Sequence, residues 1–208
     1  MGDSLRLMNR YSLLLTSALL VFAASGALAE ETGPSVGAGD PPAAVAVSKA
    51  ERIDTLFASL KAETDADAAS EIENAILGLW LESGSDTVDL LMQWTLKAME
   101  EKQYPRALDF LDRIIVLAPT YVEGWNKRAT VHFLMDDYGE SIADIGKVLE
   151  LEPRHFGALS GLGMIMRSIG DDKRAMIAYR QALEVDPHLD NVREELDQLE
   201  AETAGEDT

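Results

Sequence analysis

From Ser48 to about residue 200, apolar positions recur every three or four residues, and no stretch of useful length alternates. That period predicts helices and no strand. Ser48-x-x-Glu51 is a capping box, in which each side chain satisfies an exposed backbone N–H. It opens a helix with Ile53, Leu56, Phe57 and Leu60 on one face. Thr64-x-x-Asp67 opens a second, which aligns Ile72, Ala75, Ile76 and Leu79 and ends at Gly84. A longer period then appears. Pro119, Pro153 and Pro187 stand 34 residues apart. Proline lacks an N–H and its ring clashes with the preceding turn, so each one stops a helix. A fixed spacing of that size means one structural unit used repeatedly.

Aligned at the prolines, the units are 88–121, 122–155 and 156–189. Each reads as two helices with a short turn between. The first helix presents Leu91 and Trp94, Trp125 and Arg128, or Leu159 and Leu162. The second follows Tyr104, Tyr138 or Asp172 and opens with a small residue, Ala107, Ser141 or Ala175. Leu111, Ile145 or Tyr179 comes next, then Ile114, Val148 or Ala182. The small residue lets the first helix approach closely, and the larger ones fill the groove between successive pairs. One pair cannot bury its apolar face alone, so neighbours must stack, at roughly 25 cal/mol per Å² of apolar area removed from water.

These units resemble the tetratricopeptide repeat. Trp125, Tyr138 and Pro153 carry the likeness in the second unit; Leu162, Gly163, Ala175, Tyr179, Ala182 and Pro187 carry it in the third. The first is looser, with Trp94-Thr95 in place of the usual Leu-Gly, although Tyr104, Ala107 and Pro119 fit. Arg128 replaces a leucine and Asp172 the turn tyrosine. The resemblance covers 88–189 and implies an all-α fold: a right-handed α-solenoid of stacked helix-turn-helix hairpins. Residues 48–87 hold an N-terminal helix pair, either a degenerate repeat or a cap. Residues 190–202, with Val192, Leu196 and Leu199, form a C-terminal capping helix before a disordered tail at 203–208. The total is nine helices.

The resemblance also implies a concave face lined by the first helix of each unit. It assigns Asp89, Met92, Leu96 and Met99 from the first unit, Glu123, Asn126, Thr130 and Phe133 from the second, and Ser160, Met164 and Arg167 from the third. Flexible methionines and one aromatic suit an apolar or amphipathic peptide. Asn126 would hold the peptide backbone and Arg167 a carboxylate. Some repeats of this type clamp the C-terminal carboxylate of chaperones with lysine, asparagine and arginine. The equivalent places here hold Met92, Leu96, Gly157 and Gly161, with only Asn126 and Lys127 polar near the middle, so that clamp is not expected.

Composition narrows the setting. Arg6 and Arg10, the apolar run 13–24 and Ala27-Leu28-Ala29 form the pattern of a secretory signal over 1–29, with Met1 or Met8 as the start. The alternative is an uncleaved anchor, although the apolar run is short of the roughly 20 residues of a comfortable span. Residues 30–47, rich in Gly, Pro and Ala, read as a flexible linker. There is no cysteine, so neither a disulfide nor a lipoprotein anchor is expected. Removing 1–29 leaves 16 basic against 36 acidic residues, a net charge of −20. Such a surface repels nucleic acid and anionic lipid.

Catalytic chemistry finds no footing. His132, His155 and His188 lack a metal-ligand spacing, and the last two read as ordinary turn residues. Gly161-Leu162-Gly163 follows no strand and serves close helix contact. Asp136-Asp137 and Asp171-Asp172 read as solvated caps in turns. No enzyme, metal or cofactor is expected. The expected product is a soluble periplasmic protein, monomeric without its partner, that binds a protein or peptide in its concave groove. The alternatives are a structural protein that self-associates through an array end, or a non-catalytic subunit of an envelope enzyme.

Overall fold

The computed structural model describes residues 47–206, and the expected signal and most of the linker lie outside them. The described residues form nine helices and no strand: α1 (Lys49–Ala62), α2 (Ala66–Leu81), α3 (Asp86–Glu100), α4 (Tyr104–Leu117), α5 (Val122–Leu134), α6 (Tyr138–Leu151), α7 (Phe156–Ser168), α8 (Asp172–Val185) and α9 (Asp190–Glu206). The pairs α3–α4, α5–α6 and α7–α8 stack as an α-solenoid, and α9 closes it. Helix α9 runs to Glu206, four residues past the expected end at 202, so residues 203–206 are helical and not a disordered tail.

The helix starts are chemical. Ser48 and Glu51 make the expected capping box, with Glu51 Oε2 accepting from Ser48 N at 2.8 Å. The cap of α2 is Asp65, which accepts from Ala68 N at 2.9 Å; Thr64 stands one residue too early for the role. Lys102, Asp136 and Gly170 share one register position and all have positive φ, 56°, 60° and 78°. The left-handed residue lets the following N–H reach back, as Gln103 N does to Ala98 O, and turns the chain into the second helix of each pair.

Packing follows the small-residue rule. Ala107, Ser141 and Ala175 are all buried, and Ser141 Oγ donates to Ala129 O at 2.8 Å. At Gly163 an added Cβ would lie 2.3 Å from Tyr179 Cε1, so glycine is what admits the Tyr179 ring. The arginine found where the family has leucine is explained by its partners. Arg128 forks onto buried Asp144 at 2.7 and 2.8 Å and reaches Asp112 of the preceding pair at 2.8 Å. A guanidinium with both neighbours satisfied replaces an apolar plug.

The N-terminal pair is neither a stacked repeat nor an end cap on α3. Its core of Ile53, Phe57, Leu60, Ile76, Leu79 and Trp80 closes on Phe156, with Val185 and Leu189 at the margin. It therefore lies across the turns that follow the repeat prolines. Arg154 binds Asp54 at 2.8 Å and sits 4.6 Å over the Phe57 ring, and Tyr121 Oη donates to Leu81 O.

Candidate interaction groove

The first helices of the second and third units set the groove. On α5, Asn126, Thr130 and Phe133 stand at helical spacing; on α7, Ser160 and Met164 face them. Between these rows lies an apolar cavity of about 290 Å³, walled also by Ile145 and Ala158. A second hollow of about 560 Å³ shares Phe133, Ser160 and Met164 and continues to Arg167 on α7, Tyr179 on α8 and Glu194 and Glu195 on α9. Met164 is 47% exposed, an apolar side chain held open to solvent.

Not every expected residue arrives there. Met92 is 3% exposed and belongs to the core between α3 and α4, so it is not a groove residue. It shares the buried side of α3 with Leu91 and Thr95. Met99 packs half-buried against that core, and Leu96 is exposed but lines neither hollow. Asn126 lines the cavity, yet its amide donates to both oxygens of Glu123 at 3.1 and 3.2 Å, which occupies the group expected to hold a peptide. Thr130 Oγ1 is used within its own helix, donating to Asn126 O. Arg167 is engaged by Glu195 and, at 3.7 Å, Glu202, so it is not waiting for a partner's carboxylate.

Two residues read otherwise from the pattern form the junction between the N-terminal pair and the repeats. Glu123, expected in the groove, is 2% exposed, and His155, expected in an ordinary turn, is 1% exposed. His155 Nδ1 accepts from Ala158 N at 3.1 Å and caps α7. That assigns the proton to Nε2, which donates to Glu123 Oε1 at 2.9 Å. Trp80 stacks on the imidazole at 4.2 Å between centroids and 10° between planes. Burial alone would raise the Glu123 carboxyl. Hydrogen bonds from His155 and Asn126 and the Lys127 ammonium at 3.3 Å outweigh it and hold the group at about 2. The one local signal was His155 itself, directly after the proline turn and three residues before an N–H in need of a cap.

Among the described residues, no group of three or more His, Asp or Glu is placed to hold a metal ion. No described helix is long and apolar enough to cross a membrane. Asp171 caps α8 by accepting from Arg174 N, whereas Asp136 takes the left-handed turn position.

Comparison with known proteins places the array. The Tetratricopeptide repeat family matches residues 122–155 and 157–189. A TPR repeat-containing protein of Rhizobium etli is 47% identical over 161 residues, 77% of this chain and 79% of the relative. The small glutamine-rich tetratricopeptide repeat-containing protein 2 of Saccharomyces cerevisiae is 28% identical over 120 residues; the match spans 58% of this chain but only 34% of the yeast protein. Among solved structures, the first TPR of Spaghetti (RPAP3) bound to an HSP90 peptide superposes with TM-score 0.54 at 19% identity, covering 56% of this chain and 93% of that one. The crystal structure of MamA superposes with TM-score 0.54 at 18% identity, covering 71% and 84%. With the hairpin register, the small residues at its contacts and a relative of nearly half-identical sequence in hand, the chain belongs to the tetratricopeptide repeat family.

Proposed function

We propose that this protein is a non-catalytic interaction module of the cell envelope that takes a peptide or protein segment in the groove between α5, α7 and α9. The observation that carries the reading is the apolar hollow between Phe133 and Met164, open to solvent and walled by packed helices. An apolar side chain entering it would remove Met164 and Phe133 from water at little cost in ordering the protein. The TPR of Spaghetti was solved with an HSP90 peptide, and TPR2B of yeast Sti1 in a pHsp70 complex, which supports an interaction role for the fold. The envelope setting rests on the signal pattern of residues 1–29.

A photo-crosslinking residue at position 164 of the tagged protein, followed by cell fractionation, tests both parts. Envelope-fraction adducts that vanish with Phe133→Glu are the expected result. If Phe133→Glu, with the crosslinker still at position 164, keeps its helical content and captures the same partners, the groove is not the site.

A second reading, self-association through an array end, is favoured by exposed apolar side chains on the first hairpin. Leu90, Trp94 and Leu117 are 44%, 47% and 58% exposed at the start of the array. Trp94 holds the register position of Arg128, which reaches back to the preceding pair, but no pair stacks before α3. This reading predicts concentration-dependent sedimentation that Trp94→Glu abolishes. A parent that stays monomeric at high concentration rejects it.

A further inference from the structure

The groove has a polarity. Its inner half is apolar, closed by Ala129, Phe133, Ile145 and Met164. Its outer half ends on α9, where Glu194 and Glu195 are exposed. Among the described residues, Arg167 is the one cation in that lining, and Glu195 and Glu202 of its own chain bind it. Two carboxylates hold one guanidinium, and Glu194 adds a further negative charge beside them. An arriving carboxylate would meet this excess of negative charge. An arriving ammonium or guanidinium would meet its complement.

A second observation lies beneath the same hollow. Tyr179 is 1% exposed, lines the outer half, and its hydroxyl has no hydrogen-bond partner. Buried hydroxyls are rarely left unpaired, because the desolvated group loses its bonds to water with nothing in return. Tyr179 lines that hollow, and its phenol can accept from a cationic N–H as well as donate, so the carboxylates on the rim set the preference for the cation.

We infer that the segment this groove accepts is cationic and amphipathic, placing an apolar side chain between Phe133 and Met164 and a lysine or arginine against Glu194, Glu195 and the Tyr179 hydroxyl. This inference rests on the groove being the binding site. It assigns the groove a charge preference opposite to that of a carboxylate clamp. The overall charge of −19 draws any cation toward the molecule, so the test must separate local recognition from the general field.

Two fluorescent amphipathic peptides with identical leucines, one lysine-bearing and one glutamate-bearing, are titrated against the full chain by anisotropy at physiological salt. The lysine peptide is expected to bind and the glutamate peptide to fail. Glu194→Lys with Glu195→Lys should weaken the lysine peptide by about ten-fold, the scale of reversing two partly exposed pairs. Glu71→Lys with Glu140→Lys, which changes the net charge equally on exposed positions outside both hollows, should leave it within about two-fold. Equal loss from the two charge pairs overturns the inference, as does glutamate-peptide binding that equals or exceeds lysine-peptide binding; in the latter case the groove reading stands if Met164→Glu abolishes it. Absence of binding by either peptide removes the groove reading and the inference with it.

Discussion

Replacing Glu123 by glutamine keeps the side-chain shape and removes the charge at the centre of the α2–α5–α7 junction. The carboxylate accepts from His155 at 2.9 Å and from Asn126 at 3.1 and 3.2 Å, with Lys127 at 3.3 Å. A glutamine amide must turn an NH₂ toward the Asn126 amide or the Lys127 ammonium, so at least one donor is left facing another. The magnitude follows from linkage. The folded-state value is about 2 against an ordinary 4.5. That gap corresponds to about 3 kcal/mol of stability at neutral pH. Lys127 is partly exposed and recovers hydration in the variant, so about 2 kcal/mol is expected. The sign fixes the pH window. A carboxyl with a depressed folded-state value contributes fully above its unfolded value and loses that contribution as pH falls toward 2. Urea denaturation of parent and Glu123→Gln at pH 7 and pH 3 should therefore show a gap of about 2 kcal/mol that shrinks to about half or less in acid. A gap below about 0.5 kcal/mol at pH 7, or one independent of pH, refutes the buried ionic junction as a source of stability.

Three further outcomes follow from other contacts. Gly163→Ala should lower the melting temperature, because the 2.3 Å approach to fully packed Tyr179 costs about 1–3 kcal/mol, while Gly78→Ala, with open space around its Cβ, should stabilise by about 0.5–1 kcal/mol; thermal melts followed by circular dichroism separate them, and equal signs would refute the packing argument. Asp186 is fully buried with Oδ2 unpaired beside the Glu73 carboxyl, and burial raises both groups. A raised folded-state value means stability that is lost as pH climbs through it, so Asp186→Asn should stabilise by about 1 kcal/mol at pH 7, with the gain fading toward pH 4 in the same denaturation assay. Trp80→Ala removes the ring stacked on His155 and packed on Phe57 and Phe156 and should cost about 3 kcal/mol at the docked pair. Hydrogen exchange should then speed up in α1 and α2 while α6 to α8 stay protected.

What was legible in the sequence was local. Capping box, helical period, proline stops and small residues act over three or four positions, and repetition every 34 residues multiplied that signal until the hairpins and their register were plain. Half of the groove came with them, because Asn126, Thr130, Phe133 and Met164 need only helix geometry and register to be placed. The rest was settled by chain segments far apart in sequence. The N-terminal pair crosses the proline turns through Asp54 and Arg154, 100 residues apart. Glu123 and His155 meet over 32 residues and exchange solvent for each other. Arg167 finds its acids on α9 rather than on a partner. No periodicity announces these pairings. A polar residue on a helix face looks the same whether it meets water, a ligand or another helix, and only packing in three dimensions decides which.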